Sequence, residues 1–350
     1  MLSHLLLLCC STVAATATTT TQPQAHSNGF SYGIQMDAGS SGTRLYVYKW
    51  DARVFTSIPP TITQVTTETS WNKKQRPGIS SCANNPSDAG ASIQPLLTFA
   101  IDTILKGEGV TDLSQVPVFL GATAGMRILP PSSVNAILKS VQSTIQKAGF
   151  MYNAEWIRVL SGEEEGAYGW IAANSLLGTL SGDSTNTVGA LDLGGASTQS
   201  TFHPIESILA DFFPLEIADI SHQLYTHSYL YYGADQARYR MYDNLVSAGE
   251  AQAAQATATG MKDPVTTVTN PCFPLGYSSR SDPNHPSIVF QGSSDWSSCL
   301  AAATKLIQDY QPLMPSSPNG VQCLHSDHER CTFNGVYQPK IQKGKKLFTS

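Results

Sequence analysis

The hydrophobic and polar positions of residues 30–50 predict a β-hairpin with a polar, glycine-rich tip. Segments 32–36 and 45–48 alternate apolar with other residues, and between them lies Asp37-Ala38-Gly39-Ser40-Ser41-Gly42-Thr43. Alternation with a period of two is typical of half-buried strands, and glycine lets the chain reverse direction. The tip is therefore a candidate binding loop.

The segments that follow predict a mixture of helices and strands. Apolar residues spaced three and four positions apart indicate a helix over 88–107 with Ser87 or Asp88 as its cap. A short buried strand is expected over 116–120, and a second strand over 155–160. Two more helices are expected over 132–148 and 166–180.

The hairpin pattern recurs in the second half of the chain. The apolar segment 188–191 leads into Asp192-Leu193-Gly194-Gly195-Ala196-Ser197-Thr198-Gln199, so that both copies share a strand, Asp-x-Gly and a run of small residues ending in Thr. A repeat this long predicts a duplicated domain, not a solenoid. We place the boundary near residues 160–162. Beyond residue 205 we expect more irregular structure, with an exposed helix over 248–260.

Composition sets limits on both size and partners. The 350 residues are 41% hydrophobic and 13% charged, which is typical of a globular chain long enough for two domains. The formal net charge of −5 gives no indication of binding to nucleic acid or to a membrane surface. An anion site in such a protein must use local backbone donors and a metal ion.

The first residues resemble a signal peptide. An apolar run begins at Leu5, and Ala15-Thr16-Ala17 is a small-residue pattern of the kind that signal peptidase cleaves. We therefore expect a signal peptide over 1–17, a disordered linker over 18–29 and secretion of the chain. The stretch before Leu5 lacks Lys and Arg, so an uncleaved anchor or a disordered start stays an alternative. No later segment is apolar enough to predict a membrane span.

The cysteines support an oxidising compartment. Five lie beyond the predicted signal peptide, and four of these cluster in the last third of the chain: Cys272, Cys299, Cys323 and Cys331. This clustering predicts two local disulfides, and the spacings match no zinc-site pattern. Cys82 is the odd cysteine, either free or without its partner.

The remaining histidines and tryptophans are interpreted as structural residues, not as metal ligands or binding platforms. We expect surface or loop positions for His203, His222, His227, His325 and His328. Core or helix-packing positions are expected for Trp50, Trp71, Trp156 and Trp170.

The two hairpin tips are suited to holding a phosphate chain. Glycines allow successive backbone N–H groups to converge on an anion, and the Ser and Thr hydroxyls add donors. Asp37 and Asp192 end their strands, where a carboxylate can hold Mg²⁺ or Ca²⁺. A single Asp-x-Gly-Ser turn is usually structural only, but the matching pair favours a phosphate clamp.

A phosphate clamp does not by itself cleave a phosphate bond, because hydrolysis also needs a general base that activates water. The segment 161–170 offers three carboxylates for this role. Glu163, Glu164 and Glu165 precede a predicted helix. Acidic residues are favoured in the first turn by the helix dipole, so this alternative could explain all three.

Four segments, taken together, resemble the first four conserved regions of the nucleoside triphosphate diphosphohydrolases, or ecto-apyrases, in the same order. They are Asp37 to Arg44, Gly121-Ala122-Thr123-Ala124-Gly125-Met126-Arg127, Ser161 to Trp170, and Asp192 to Gln199. The resemblance continues more loosely through 270–277 and 331–339. It implies an α/β fold with two actin/sugar-kinase-like (RNase H-like) domains, 30–160 and 161–350, and an active site in the cleft between them.

The resemblance also implies roles for individual residues. Glu165 matches the catalytic base, Ser197 and Gln199 match residues that hold the attacking water, and Asp37 and Asp192 match the aspartates around Mg²⁺ or Ca²⁺. Arg127 is interpreted as a support for its own loop. The implied disulfides are Cys272–Cys299 and Cys323–Cys331. The phosphate-binding positions would be Gly39, Ser40, Ser41, Gly42, Thr43, Thr123, Gly194, Gly195 and Ala196.

The implied activity is metal-dependent hydrolysis of nucleoside tri- and diphosphates to the monophosphate and orthophosphate. Segments around 46–50 and 189–192 look closer to cell-surface members than to Golgi diphosphatases, which favours both substrates. Alternatives are a phosphotransferase or exopolyphosphatase of the same superfold, and an inactive nucleotide-binding homologue. The last alternative arises because the family continues past the segment matching 331–339 with a base-stacking region, so we expect the second domain to be truncated.

Overall fold

The computed structural model describes residues 29–51, 71–180, 186–204, 211–217, 220–256, 266–280 and 282–308, with three short strands after them. The predicted signal peptide, most of the linker, the Cys323–Cys331 pair, His325 and His328 lie outside the described residues or their described side chains.

The first sheet is built around the N-terminal hairpin. Strands β1 (Phe30–Gly39) and β2 (Gly42–Asp51) pair antiparallel, with Asp37 opposite Arg44. The sheet order is β3-β2-β1-β4-β5, where the outer strands are β3 (Asn72–Gln75), β4 (Val118–Ala122) and β5 (Ile157–Val159). Strand β4 runs parallel to β1, and β5 runs parallel to β4. This order leaves the end of β1, which carries Asp37, beside the end of β4.

The helices of this part of the chain are α1 (Asp88–Phe99), extended by the π-helical turn Ala100–Leu105, then α2 (Ala124–Arg127), α3 (Pro131–Lys147) and α4 (Gly162–Leu177). Helices α1 and α3 flank the first sheet at the predicted places, the short α2 was not predicted, and α4 packs on the second sheet. The apolar faces of α1 and α3 pack on β1 and β4 in one core, through residues such as Ile34, Ile93, Leu97, Val118, Ile137 and Val141. Helix α4 begins four residues earlier than predicted because Ser161 and Glu164 form a capping box.

The second sheet repeats the plan of the first. Its order is β15-β6-β7-β9-β8, with β6 (Gly189–Leu193), β7 (Ser197–Phe202), β8 (Phe212–Ile217), β9 (Ile220–Leu230) and β15 (Leu347–Thr349). Strands β6 and β7 form an antiparallel hairpin, and β15 runs parallel to β6 as β4 runs parallel to β1. The recurrence of the hairpin predicted from the sequence is therefore confirmed.

The described residues divide into two compact units. One comprises the chain up to Tyr229 together with the C-terminal strand β15, and the other lies within Leu230–Gln338. The predicted boundary near 160–162 falls inside the first unit, and the assignment of 30–160 and 161–350 as two actin-like domains stays a prediction.

The second unit is small and has its own core. It contains α5 (Ala234–Ala256), β10 (Thr267–Asn270), β11 (Ser278–Ser279), β12 (Val289–Gly292), α6 (Trp296–Gln308), β13 (Cys331–Thr332) and β14 (Val336–Tyr337). Strand β12 lies between β10 and β11. Five buried side chains form the core: Tyr242, Val246, Val268, Ile288 and Phe290. The disulfide Cys272–Cys299 is present, as the family resemblance implied, and Cys82 forms no disulfide with another described cysteine.

Two expectations for the later part of the chain need correction. The helix predicted over 248–260 is present but begins earlier, at Ala234, because Tyr242 and Val246 supply an apolar face upstream of the alanine-rich part; residues 257–260 lie outside the described residues. His222 and His227 were predicted at the surface, but they lie in β9 and are 0% and 2% exposed. His227 Nδ1 lies 3.0 Å from Asp211 Oδ2, and His222 packs against Trp170, which is itself buried as predicted.

No helix in the part of the chain that the structure describes is long and apolar enough to cross a membrane.

Candidate active site

The three glutamates at the start of helix α4 differ in their contacts and in their exposure to solvent. Glu164 accepts two hydrogen bonds from Arg158, at 2.8 and 2.9 Å, and it also caps the helix through the backbone N–H of Ser161. Glu163 points to solvent, whereas Glu165 is only 8% exposed. The capping alternative therefore accounts for Glu164, and Glu165 is left for another role.

Glu165 lies in a hydrogen-bonded cluster with Arg127, Ser197 and Gln199. Arg127 Nη2 donates to Glu165 Oε2 at 2.8 Å and to Ser197 Oγ at 3.0 Å. The same guanidinium donates from Nη1 to the backbone oxygen of Leu160 at 3.1 Å. Arg127 thus joins the end of α2 to Glu165 and to the second hairpin, which are more contacts than the loop support that we expected.

The side-chain amide of Gln199 lies in this cluster, with its nitrogen Nε2 hydrogen-bonded and its oxygen Oε1 available to accept a hydrogen bond. Its Nε2 carries two N–H groups, which are shared among three acceptors: Ser197 Oγ at 2.6 Å, Ser228 Oγ at 2.8 Å and Glu165 Oε2 at 3.2 Å. Its Oε1 is buried and has no hydrogen-bond partner among the described residues. A buried acceptor of this kind is satisfied when a water molecule donates to it.

The electrostatics of the site suit a general base. Burial raises the pKa of Glu165 to about 7, against the lowering effect of Arg127, and repulsion from Asp192 and Asp37 raises it further. Burial also raises the pKa of Asp37, which Arg44 lowers and Asp192 raises. The three carboxyl groups, two from hairpin tips and one from α4, therefore share one electrostatic region.

This convergence of carboxylates fits a hard divalent cation. Asp37 is at the end of β1 and Asp192 near the end of β6, as predicted. The hydroxyl oxygen Thr43 Oγ1 is also buried, without a hydrogen-bond partner among the described residues. Mg²⁺ and Ca²⁺ prefer oxygen ligands such as these, and a cation would offset the mutual repulsion of the carboxylates.

Two glycines allow α4 to approach the second sheet closely. A Cβ atom at Gly166 would lie 2.5 Å from the Oγ1 atoms of both Thr201 and Thr226, and a Cβ at Gly162 would collide with the side chain of Ser228. These positions are one helical turn apart, so they form one smooth strip of the helix. The close approach brings Glu165 within reach of Gln199 on β7.

The first candidate phosphate loop, residues 39–43, packs directly against the segment that contains Thr123 and helix α2. A Cβ at Gly125 in α2 would lie 2.8 Å from the Cα of Ser40, so the two backbones are in direct contact. Thr123 donates its backbone N–H to the oxygen of Ala38 at 3.1 Å. The predicted positions Gly39 to Thr43 and Thr123 are thus neighbours in the structure.

The second loop, residues 194–196, connects β6 to β7. The backbone N–H of Gly194 donates to the oxygen of Ser197 at 2.9 Å, and Ala196 is buried. Because Asp192 precedes this turn and Ser197 follows it, the hairpin connects a metal-ligand candidate with the hydrogen-bonded cluster around Glu165.

A sequence model of the GDA1/CD39 (nucleoside phosphatase) family matches residues 23–350. The chain belongs to this family. The resemblance drawn from the four ordered motifs is thereby confirmed.

Relatives and a solved structure agree with this assignment. The chain is 32% identical over 325 residues to "Probable apyrase 5" of Arabidopsis thaliana and 33% identical over 344 residues to "Ectonucleoside triphosphate diphosphohydrolase 2" of Gallus gallus. Both alignments cover 89% of this chain and 60% and 61% of the two relatives, so the chain spans about three fifths of their length. The crystal structure of nucleoside triphosphate hydrolases from Neospora caninum aligns with a TM-score of 0.50 at 16% identity, over 83% of this chain and 67% of that one. This likeness confirms the α/β, actin-like fold class.

Sequence reasoning missed one contributor and misjudged another. Ser228 lies in β9, outside every motif, and its hydrogen bond to Gln199 could not be inferred from spacing. Arg127 lay inside one of the four motifs. Its positive charge, in a motif set that also contains Asp37, Glu165 and Asp192, could have indicated that it pairs with a carboxylate.

Proposed function

We propose that the protein hydrolyses the terminal phosphate of nucleoside tri- and diphosphates by direct attack of water, with Glu165 as the general base. The observation that carries this proposal is the cluster of Glu165, Ser197 and Gln199 beside two strand-end aspartates. The names of the relatives, apyrase and ectonucleoside triphosphate diphosphohydrolase, support the same substrate class.

The arrangement of hydrogen bonds indicates how a water molecule would be held. Glu165 Oε2 already accepts from Arg127 and Gln199, which leaves its other carboxylate oxygen to accept a proton from water. Gln199 Oε1 can accept the second hydrogen of that water. A pKa of about 7 keeps a large fraction of Glu165 deprotonated at neutral pH while the group can still take up a proton.

The substrate's phosphates would lie against the two hairpin tips. Backbone N–H groups of 39–43 and 194–196, with the hydroxyls of Ser40, Ser41 and Thr123, would donate to phosphate oxygens. Asp37 and Asp192 would hold Mg²⁺ or Ca²⁺, which supplies positive charge for the phosphoryl oxygens in the transition state. No covalent phosphoenzyme is needed in this scheme.

The finer assignments belong to the same proposal. Secretion follows from the sequence of the first 17 residues, and the Cys272–Cys299 disulfide is consistent with an oxidising compartment. Acceptance of both tri- and diphosphates follows from the resemblance to cell-surface members of the family.

The test is phosphate release from ATP and from ADP by the purified chain, with Mg²⁺ or Ca²⁺ and with EDTA. Glu165→Gln is compared with Glu163→Gln, which makes the same chemical change in the same helical turn on an exposed side chain. We expect Glu165→Gln to lower kcat by about 10²–10⁴-fold and Glu163→Gln to leave it nearly unchanged.

The possible outcomes separate the alternatives. Metal-dependent release from both nucleotides that disappears in Glu165→Gln supports the proposal. A folded chain that binds nucleotide without releasing phosphate would be an inactive homologue. Equal activity of the two glutamine variants would show that Glu165 is not the base.

A further inference from the structure

The second unit brings together three metal-ligating side chains that the hydrolytic site does not use. Asp243, Asp282 and His285 each place one ligand atom within 4.8 Å of the other two. Asp243 lies on α5, and the other two lie on the loop between β11 and β12. His285 Nε2 is 2.8 Å from Asp243 Oδ1, so the helix and the loop already touch.

Asp282 is the unusual member because it is buried with an unsatisfied oxygen. The residue is 1% exposed. Its Oδ1 accepts a hydrogen bond of 3.0 Å from the backbone N–H of Asn284, but Oδ2 is buried and has no hydrogen-bond partner among the described residues. A carboxylate oxygen in that position is costly unless a donor or a cation satisfies it. This oxygen is an independent indication that the cluster accommodates a cation.

The loop that carries two of the ligands is held in place without a metal ion. Pro283 directly follows Asp282 and Pro286 directly follows His285, and each proline restricts the backbone beside a ligand. The backbone N–H of Ile288 donates to the oxygen of His285 at 3.1 Å, and Ile288 packs in the core of the unit. Preorganised ligands lose less conformational entropy when they bind a metal ion.

The helical ligand is equally well anchored. Asp243 directly follows Tyr242, whose ring stacks on Phe290 of β12 with centroids 4.2 Å apart. Tyr242 is 1% exposed, so this part of α5 is fixed by the core. The position of the Asp243 carboxylate relative to the loop is therefore set by packing.

The geometry points to a divalent transition-metal site at Asp243, Asp282 and His285, with Zn²⁺ as the ion. One imidazole nitrogen and two carboxylate oxygens form a ligand set that suits zinc, whereas Ca²⁺ takes six to eight oxygens. Metal–ligand distances of about 2.0–2.1 Å place tetrahedral ligands roughly 3.3 Å apart, which side-chain rotation can reach from the observed separations. A water molecule would complete the coordination, since the Asp243 side chain is 48% exposed.

The ion would tie the β11–β12 loop to helix α5. The three-stranded sheet of this unit has strands of only two to four residues, and a small core of this kind gains much from a cross-link. The simpler alternative is that the hydrogen bond between His285 and Asp243 holds the loop by itself.

Zinc binding is measured on the untagged full chain after removal of metals by chelation. Zn²⁺ is titrated against a chromophoric zinc indicator in saturating Mg²⁺, which occupies oxygen-only sites, and Co²⁺ absorption reports ligation by histidine. The variants are Asp282→Asn and His285→Gln. The control is Asp235→Asn, on the same helix, where the carboxylate forms an exposed pair with Arg238.

We expect the wild-type chain and Asp235→Asn to bind one Zn²⁺, and both cluster variants to bind it more than about 100-fold more weakly. Circular dichroism and gel filtration establish that each variant is folded. A folded wild-type chain that binds no Zn²⁺, or cluster variants that bind it as tightly as the wild type, would overturn the assignment. The readout is bound metal, so it does not depend on whether the chain hydrolyses nucleotides.

Discussion

Arg127 donates a hydrogen bond of 2.8 Å to Oε2 of Glu165, yet burial raises the pKa of that carboxyl group to about 7. The positive charge of Arg127 lowers this pKa, so desolvation and the repulsion from Asp192 and Asp37 outweigh it. The ion pair therefore limits how far burial raises the pKa of Glu165. It keeps a carboxylate that would otherwise be protonated available near neutral pH.

Replacing Arg127 should move the acidic limb of the pH–rate profile to higher pH. Arg127→Met removes the cation that opposes burial, and an opposite charge at this distance shifts a carboxyl pKa enough to change the carboxylate fraction about tenfold or more. At pH 6 we expect kcat/KM to fall by at least about tenfold, with recovery at alkaline pH.

The matched control is Arg158→Met, which removes a guanidinium paired with Glu164 in the same helical turn. Its acidic limb should stay where it is in the wild type. A uniform loss of activity in Arg127→Met at every pH, with no movement of the limb, would mean that Arg127 only supports the structure.

The close approach of α4 to the second sheet makes Gly166 a sensitive position. Gly166→Ala places a methyl group 2.5 Å from two threonine hydroxyl oxygens, and overpacking of this kind costs about 1–3 kcal/mol of unfolding free energy. It should also lower kcat, because the helix that carries Glu165 must move away from Gln199. Urea denaturation and steady-state kinetics measure the two effects.

Gly107→Ala is the comparison, since a Cβ there meets nothing closer than 3.4 Å. The double variant Gly166→Ala with Thr201→Ala should recover part of the lost stability because one of the two colliding hydroxyls is removed. If Gly166→Ala is as stable and as active as Gly107→Ala, the packing described for α4 is wrong.

His222 should make the fold sensitive to acid. Burial lowers the pKa of His222, with a smaller contribution from His203, and neither ring nitrogen has a hydrogen-bond partner among the described residues. The unfolded chain binds a proton near pH 6.5 that the folded chain resists, so stability is full above that pH and falls below it.

His222→Phe, which preserves an aromatic ring beside Trp170, should flatten this dependence. Between pH 6.5 and 5 the wild type should lose up to about 1.4 kcal/mol more per pH unit than the variant. Urea unfolding at several pH values measures the slope, which is independent of any constant difference in packing. Identical slopes would show that His222 takes up its proton equally readily in the folded and the unfolded chain, so that burial does not lower its pKa.

Local patterns predicted the two hairpins and helices α1, α3 and α4 well. Their strands alternate and their helices have single apolar faces, so nearest-neighbour periodicity is sufficient. The capping box at Ser161 and Glu164 could also have been recognised, and it would have corrected the start of α4.

The remainder depended on contacts between distant residues. Strand β9 was missed because its buried face contains His222, Thr226 and Ser228, which do not look like core residues in sequence. Asp243 and His285 are 42 positions apart, and only the fold brings them together. The site residues Asp37, Glu165 and Gln199 were identified through family motifs, and their chemical roles stay predictions.

The tip at Ser40 and Ser41 owes its shape to neighbours as much as to its own sequence. Gly125 presses on Ser40 from α2, and a Cβ at Gly78 would lie 2.9 Å from the Ser40 carbonyl oxygen. Grafting residues 37–44 onto an unrelated hairpin would therefore transfer the sequence of the motif without its conformation. A transplant that keeps the conformation of this loop would have to include the segments around Gly78 and Gly125 as well.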